Sequence, residues 1–224
     1  MDPAEAEPPP RRRRGLVAPI VIAVLGAALV ALLAYGVFSH GAGNGIDDRL
    51  GRGDPVSSPG FSASVLEPGA LGAPLQARVG RLLASGHVSD RSLRGVPYAL
   101  NFWASWCTPC AIEATALNSG WQQARARGVL ILGLDSLDNT GDARHFLASH
   151  HVSYPTLHDS SNLVAGHWNV PAFPETYFVS AAGRIVGHVI GALSLAQLNQ
   201  GVADALSGHV TPAQNGGAPL PASD

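Results

Sequence analysis

The sequence predicts an α/β sandwich preceded by one N-terminal transmembrane helix. Three observations predict it: a long apolar run near the N-terminus, alternating strand-like and helix-like segments after residue 61, and a closing strand pair followed by an amphipathic helix.

The apolar run comes first. Residues 16–38 are almost continuously apolar, and no Asp, Glu, Lys or Arg falls between residues 15 and 46. At about 1.5 Å per residue those 23 residues reach about 35 Å, enough for a hydrocarbon core of about 30 Å. A secretory signal has a shorter apolar region of about 7–15 residues and a small-residue cleavage site. Gly41-Ala42-Gly43 matches such a site poorly, so a retained anchor over 15–38 is expected, with a cleaved signal as the alternative. A buried core helix fits less well, because no polar stripe interrupts the run. Arg11, Arg12, Arg13 and Arg14 precede it, so the basic segment 1–14 is expected to be cytoplasmic and disordered, and everything after 38 external.

Residues 39–60 hold six glycines, two prolines and three aspartates and read as a linker. A folded domain is expected over 61–207, with a disordered Pro-, Gly- and Ala-rich tail over 208–224. Within the domain, 98–104 reads as a strand and 108–127 as a helix, with Ala111, Ile112, Ala114, Leu117 and Trp121 at helical spacing. The apolar stretch 129–134 reads as a strand buried on both faces. Then come a helix at 141–151, a short strand at 154–157, a short helix at 161–168, and strands at 176–180 and 184–190 around a turn. Ser194 opens the last helix, with Leu195, Leu198, Val202 and Leu206 on one face, ending before Gly208. Residues 67–87 show no assignable pattern.

The composition narrows the function. The net charge is −2 and all 14 basic residues are arginines, which leaves no electrostatic footprint for nucleic acid. The chain has two cysteines, Cys107 and Cys110. A structural zinc site needs about four ligands. A disulfide across so short a loop removes little unfolded-state entropy. A Cys-x-x-Cys pair where a strand runs into a helix is instead a redox motif. There the unpaired N–H groups of the helix end favour a thiolate on Cys107, the candidate attacking sulfur. Pro109 fits the first turn, and Cys110, one turn on, is placed to resolve a mixed disulfide. An inert buried pair is the bland alternative.

The run Asn101-Phe102-Trp103-Ala104-Ser105-Trp106-Cys107-Thr108-Pro109-Cys110, followed by Glu113 and by the segment 168–179, resembles the extracytoplasmic thioredoxins of the TlpA, ResA and DsbE/CcmG type. The resemblance spans about 61–206. It implies a thioredoxin-like fold, a mixed central sheet with helices on both faces. It also implies a thiol–disulfide oxidoreductase without cofactor, tethered to membrane lipid, that reduces disulfides of exported proteins, apocytochrome c among them. Electrons would come from a membrane donor of the transmembrane thiol-relay type. By the same resemblance Pro174 is the cis-proline facing the disulfide, with Pro171 the competing candidate. Trp106, Thr108, Pro109, Phe173, Pro174 and Glu175 would contact substrate. Pro174-Glu175-Thr176 is similar to the Pro-Glu-Thr of the cytochrome-maturation branch, although Phe173 is bulkier than the small residue of that branch, and Asn169 and Ala172 replace common glycines.

Asn101 stands where cytosolic thioredoxins carry a buried aspartate, and an amide cannot accept a proton from Cys110 as a carboxylate does. Glu113 is the candidate replacement, a solvated helix residue being the alternative. Glu175 is a second acid, with a surface role at a strand start as its alternative. Five of the nine histidines lie between 145 and 167, yet their spacing suits no metal, and His158-Asp159 reads as a turn. Rival functions are oxidation of exported thiols and a tethered binding module with a static disulfide. A thiol peroxidase would need a Thr or Ser and a Pro framing the cysteine, which Ala104-Ser105-Trp106 does not supply.

Overall fold

The computed structural model describes residues 45–217 and, before them, residues 21, 24–28 and 30, which are helical. The chain divides into two compact units, 1–43 and 44–224. Apart from those few positions, the expected basic segment and anchor lie outside the described residues. Among the described residues no helix is long and apolar enough to cross a membrane.

The second unit contains strands β1 (Val56–Ser57), β2 (Ser62–Glu67), β3 (His87–Ser89), β4 (Tyr98–Trp103) and β5 (Leu130–Ser136). It continues with β6 (Thr156–Asp159), β7 (Glu175–Val179), β8 (Arg184–Ile190) and β9 (Gln214–Asn215). Its helices are α1 (Gly45–Gly51), α2 (Ala73–Ala84), α3 (Thr108–Ala126), α4 (Thr140–Ser149), α5 (Leu163–His167) and α6 (Leu195–Ser207).

One mixed sheet has the order β1-β8-β7-β4-β5-β6-β2-β3, with β9 also on β8. The largely apolar β4 and β5 suit its centre, where both strands are buried along their whole length. They pair in parallel from Tyr98 opposite Leu130 to Trp103 opposite Asp135, while β7 flanks β4 antiparallel.

Alternation along β4 assigns the faces. Asn101 reaches Glu113 of α3, and Trp103 stacks on Phe146 of α4 at 4.6 Å, so these helices share one face. Phe102 points to the other, against Trp168 and Tyr177. α6 joins the first face, where its Gly201 meets the ring of Phe178. Its ends are those the sequence indicated: Ser194 and Gln197 form a capping box, and Gly208 closes it at φ 75°.

Two boundaries need correction. The linker expected over 39–60 contains α1, whose Ile46 and Leu50 are buried, and β1, which pairs with β8. Its Gly- and Asp-rich composition hid two apolar positions at i and i+4, enough to dock one short helix. The tail expected to be disordered from 208 pairs through β9, Gln214 opposite Val189, and Gln197 donates a side-chain N–H to Asn215 O at 3.1 Å. Strands this short earn their order from a partner far away in sequence. The unassigned 67–87 holds all of α2, which buries Leu75, Val79 and Leu83.

Candidate active site

β4 leads through Ala104, Ser105 and Trp106 to the amino end of α3. Cys107 is the N-cap there, with its N–H bonded to Ala104 O at 3.1 Å. It is joined to Cys110 in a disulfide, and the Cys110 N–H donates to Cys107 Sγ at 3.2 Å. Both cysteines are buried, in an apolar cluster with Trp103, Ala104, Phe146 and Leu147. The helix end favours negative charge on Cys107 Sγ once the bond is reduced.

The turn after β5 holds this approach. Asp138 Oδ2 accepts the Ser105 N–H at 2.7 Å, and Leu137 O accepts the Trp106 indole N–H at 3.3 Å. Trp106 is 62% exposed and leans on Phe173, 5.8 Å between ring centroids. Thr108 and Pro109 are also exposed. Phe173 packs on the apolar cluster that contains both cysteines, and its ring contact with Trp106 puts it beside the residue that precedes Cys107. The cis peptide in that loop is Phe173–Pro174, and Pro171 is not the cis residue. The Pro174 carbonyl is taken by the Gly191 N–H at 2.9 Å.

Glu113, three residues after Cys110 and on the same face of α3, is 2% exposed, not a solvated helix residue. Its Oε1 accepts from Asn101 Nδ2 at 2.7 Å and its Oε2 from the Leu193 N–H at 3.0 Å. Asn101 Nδ2 also donates to Thr176 Oγ1 at 3.0 Å. Burial pushes Glu113 up to about 8, against the opposing pull of those two donors.

Glu175 requires correction as a direct substrate contact. It is 4% exposed, and its Oε2 lies 3.0 Å from His188 Nε2 and 3.3 Å from the Tyr177 hydroxyl. β alternation sends its carboxylate beneath the loop, away from the cysteines. His158 is not in a turn but on β6, with Nδ1 2.6 Å from Asp135 Oδ2. Among the described residues no group of three or more His, Cys, Asp or Glu is placed to hold a metal.

Sequence reading missed Asp135, Asp138, Thr176, Leu193, Asp47 and His188. An aspartate ending an apolar strand was a usable signal for Asp135. It is fully buried, and burial together with neighbouring Asp138 and Asp159 pushes it up to about 8. The Leu193 contact uses only a backbone N–H and left no signal.

Residues 78–188 match the model of the AhpC/TSA family. The fold is thioredoxin-like, and this stretch is similar to that family. The thiol-disulfide oxidoreductase ResA of Bacillus cereus (strain ZK / E33L) is 27% identical over 108 residues, covering 48% of this chain and 62% of that protein. The thiol:disulfide interchange protein HelX of Rhodobacter capsulatus is 37% identical over 119 residues, 52% of this chain and 65% of that one. The chain thus spans less than two thirds of the length of these relatives. The crystal structure of a candidate thiol:disulfide interchange protein DsbE of Chlorobium tepidum superposes with TM-score 0.54 and 22% identity, covering 67% of this chain and 96% of that one, which establishes the fold alone.

Two predictions arise from the thioredoxin-like site. In the reduced protein at neutral pH, iodoacetamide should label Cys107 much faster than Cys110, which lies a turn inside the helix; equal rates would contradict that order. The second concerns pH. Glu113 and Asp135 keep protons in the folded chain above the ordinary carboxylate range. A raised pKa stabilises the fold below the unfolded value and loses that contribution as pH climbs to the folded value. The melting temperature of the oxidised protein should therefore fall from pH 5 to pH 8. His188, raised by its hydrogen bonds to Asp47 and Glu175 against the opposing effect of burial, extends the decline above its unfolded 6.5. A flat or rising melting temperature would exclude this linkage.

Proposed function

We propose that the protein is a membrane-tethered thiol–disulfide oxidoreductase that reduces disulfides in exported proteins, in a pathway related to cytochrome c maturation. One observation carries the reading: a cysteine pair at a helix N-terminus shares an apolar cluster with Phe173 of the cis Phe173–Pro174 loop, with a buried, protonatable Glu113 one turn behind Cys110. The names of the relatives and the apolar run behind four arginines support it.

The Cys107 thiolate attacks a substrate disulfide. A mixed disulfide forms, and the other substrate sulfur leaves as thiolate. Cys110 then gives its proton to Glu113 and attacks Cys107 Sγ. The intramolecular bond closes, the second substrate sulfur leaves, and two electrons have passed to the substrate. Apocytochrome c is the proposed substrate, and a membrane thiol-relay donor returns the two electrons. Exposed Trp106, Thr108 and Pro109, with half-buried Phe173, supply the surface on which an extended substrate lies, offering apolar contact and strand-like pairing.

Trapping tests this. Cys110→Ser in native membranes should accumulate mixed disulfides between Cys107 and exported proteins, identifiable by mass spectrometry. No adducts, together with a reduction potential below about −300 mV, would mark a static bond instead. A pair found oxidised in cells at steady state would reverse the proposed direction.

A further inference from the structure

Beneath the Phe173–Pro174 loop lies a second set of titratable side chains that the exchange steps leave unused. His188 of β8 is 2% exposed. Its Nδ1 lies 2.8 Å from Asp47 Oδ1, and its Nε2 lies 3.0 Å from Glu175 Oε2. The ring lies flat on Tyr177, with centroids 3.9 Å apart and planes 9° apart. The Tyr177 hydroxyl is within reach of both Glu175 Oε2 and Trp168 O, at 3.3 and 3.2 Å.

Counting protons constrains this arrangement. A neutral imidazole has one N–H and one lone pair, so it satisfies one carboxylate and opposes the other. An imidazolium donates from both nitrogens, and each bond is then charge-assisted. The three residues come from three elements. Asp47 is on α1, the first element of the folded unit; His188 is on β8; Glu175 opens β7 directly after Pro174.

We infer that Asp47, His188 and Glu175 form a charged clamp that positions the Phe173–Pro174 loop for substrate. The inference rests on the exchange reading above. Glu175 sits opposite Phe102 and Ile190 in the sheet, and the clamp draws its carboxylate inward. Pro171 and Ala172, on the other side of Phe173, are exposed and belong to no strand. The loop is thus gripped at its β7 end from the core side, while the peptide groups before Pro174 stay open to an extended chain. Loss of one partner leaves a buried charge uncompensated, and the nearest relief is movement of Glu175 and the loop attached to it. The titratable groups facing His188 are Asp47 from α1 and Glu175 and Tyr177 from β7. These are positioning residues, since none touches the sulfurs.

The test compares full-length wild type, Asp47→Asn and His188→Gln in detergent. The substrates are insulin, an extended protein disulfide, and oxidised glutathione, a small one. Asp47→Asn should raise KM for insulin by about ten-fold, the value of one charge-assisted hydrogen bond. Its kcat, its turnover of glutathione and its Cys107 alkylation rate should stay within about two-fold, since the clamp is remote from the sulfurs. Nitrogen-15 NMR of the ring should show both nitrogens protonated at pH 7 in wild type, and a lower His188 pKa in Asp47→Asn. Where His188→Gln fails to fold, Asp47→Asn decides alone, its carboxylate being 23% exposed at the cluster's edge. An active wild type with unchanged insulin KM in Asp47→Asn, or with a neutral ring at pH 7, overturns the clamp alone. A wild type inert toward both substrates overturns the exchange reading and the clamp with it.

Discussion

Glu113→Gln should slow thiol–disulfide exchange near pH 7 by about 10²–10⁴-fold, the contribution of a positioned proton-transfer group where that step is limiting. The fold should survive, because the amide is nearly isosteric. Its oxygen can still accept the Leu193 N–H, and turning the Asn101 amide over presents Oδ1, which has no hydrogen-bond partner among the described residues, to the new NH₂. The proton is what is lost. Glu113 is pushed up to about 8, so near neutral pH it can both take up and release a proton beside Cys110. Below pH 8 Glu113 is mostly protonated and few molecules can accept, so the wild-type rate should climb through about pH 8. The variant should lack that rise. Because Glu113 carries little charge at pH 7, its removal should alter the thiol pKa values little there. Above pH 8 the loss of a nearby carboxylate should make the thiolates easier to form. Stopped-flow reduction of a disulfide substrate between pH 6 and 10 separates these effects. Superimposable wild-type and variant profiles would remove Glu113 from the mechanism.

Trp168→Ala should destabilise the domain by about 3–5 kcal/mol, the usual cost of emptying a buried aromatic site. Trp168 is fully buried between Phe102 and Tyr177, with ring centroids 5.8 and 5.0 Å away. Its indole N–H donates to Gly60 O at 3.0 Å, tying the segment before β2 to the face of the sheet that bears the clamp. Truncation removes both aromatic contacts and leaves the Gly60 carbonyl to find another donor. At about 2–4 °C per kcal/mol for a chain of this size, the melting temperature should fall by about 6–20 °C. Trp168→Phe should cost less, since it keeps most of the apolar volume and loses the hydrogen bond. Urea unfolding of the three proteins is the check, read as a shift in midpoint at constant slope. A loss below about 1 kcal/mol for Trp168→Ala would show that the neighbours collapse into the space.

What the sequence by itself determined is what neighbouring residues decide. The unbroken apolar run 129–134 marked β5 as a strand buried on both faces, Ser194 and Gly208 marked the ends of α6, and Cys-x-x-Cys at a strand-to-helix junction named the chemistry. Each depends on one strand, one helical turn or one cap. The tertiary structure alone decided which polar groups share a buried site. Asn101 meets Glu113 across 12 residues, Leu193 meets Glu113 across 80, and Asp47 meets His188 across 141. It also decided that Glu175 faces inward and that α1 and β9 are ordered. A single buried contact leaves no periodicity to read. Whether a carboxylate is solvated or buried beside a donor depends on which distant segment closes over it, and in Glu113 that closure turns an ordinary helix residue into an acid that titrates near 8.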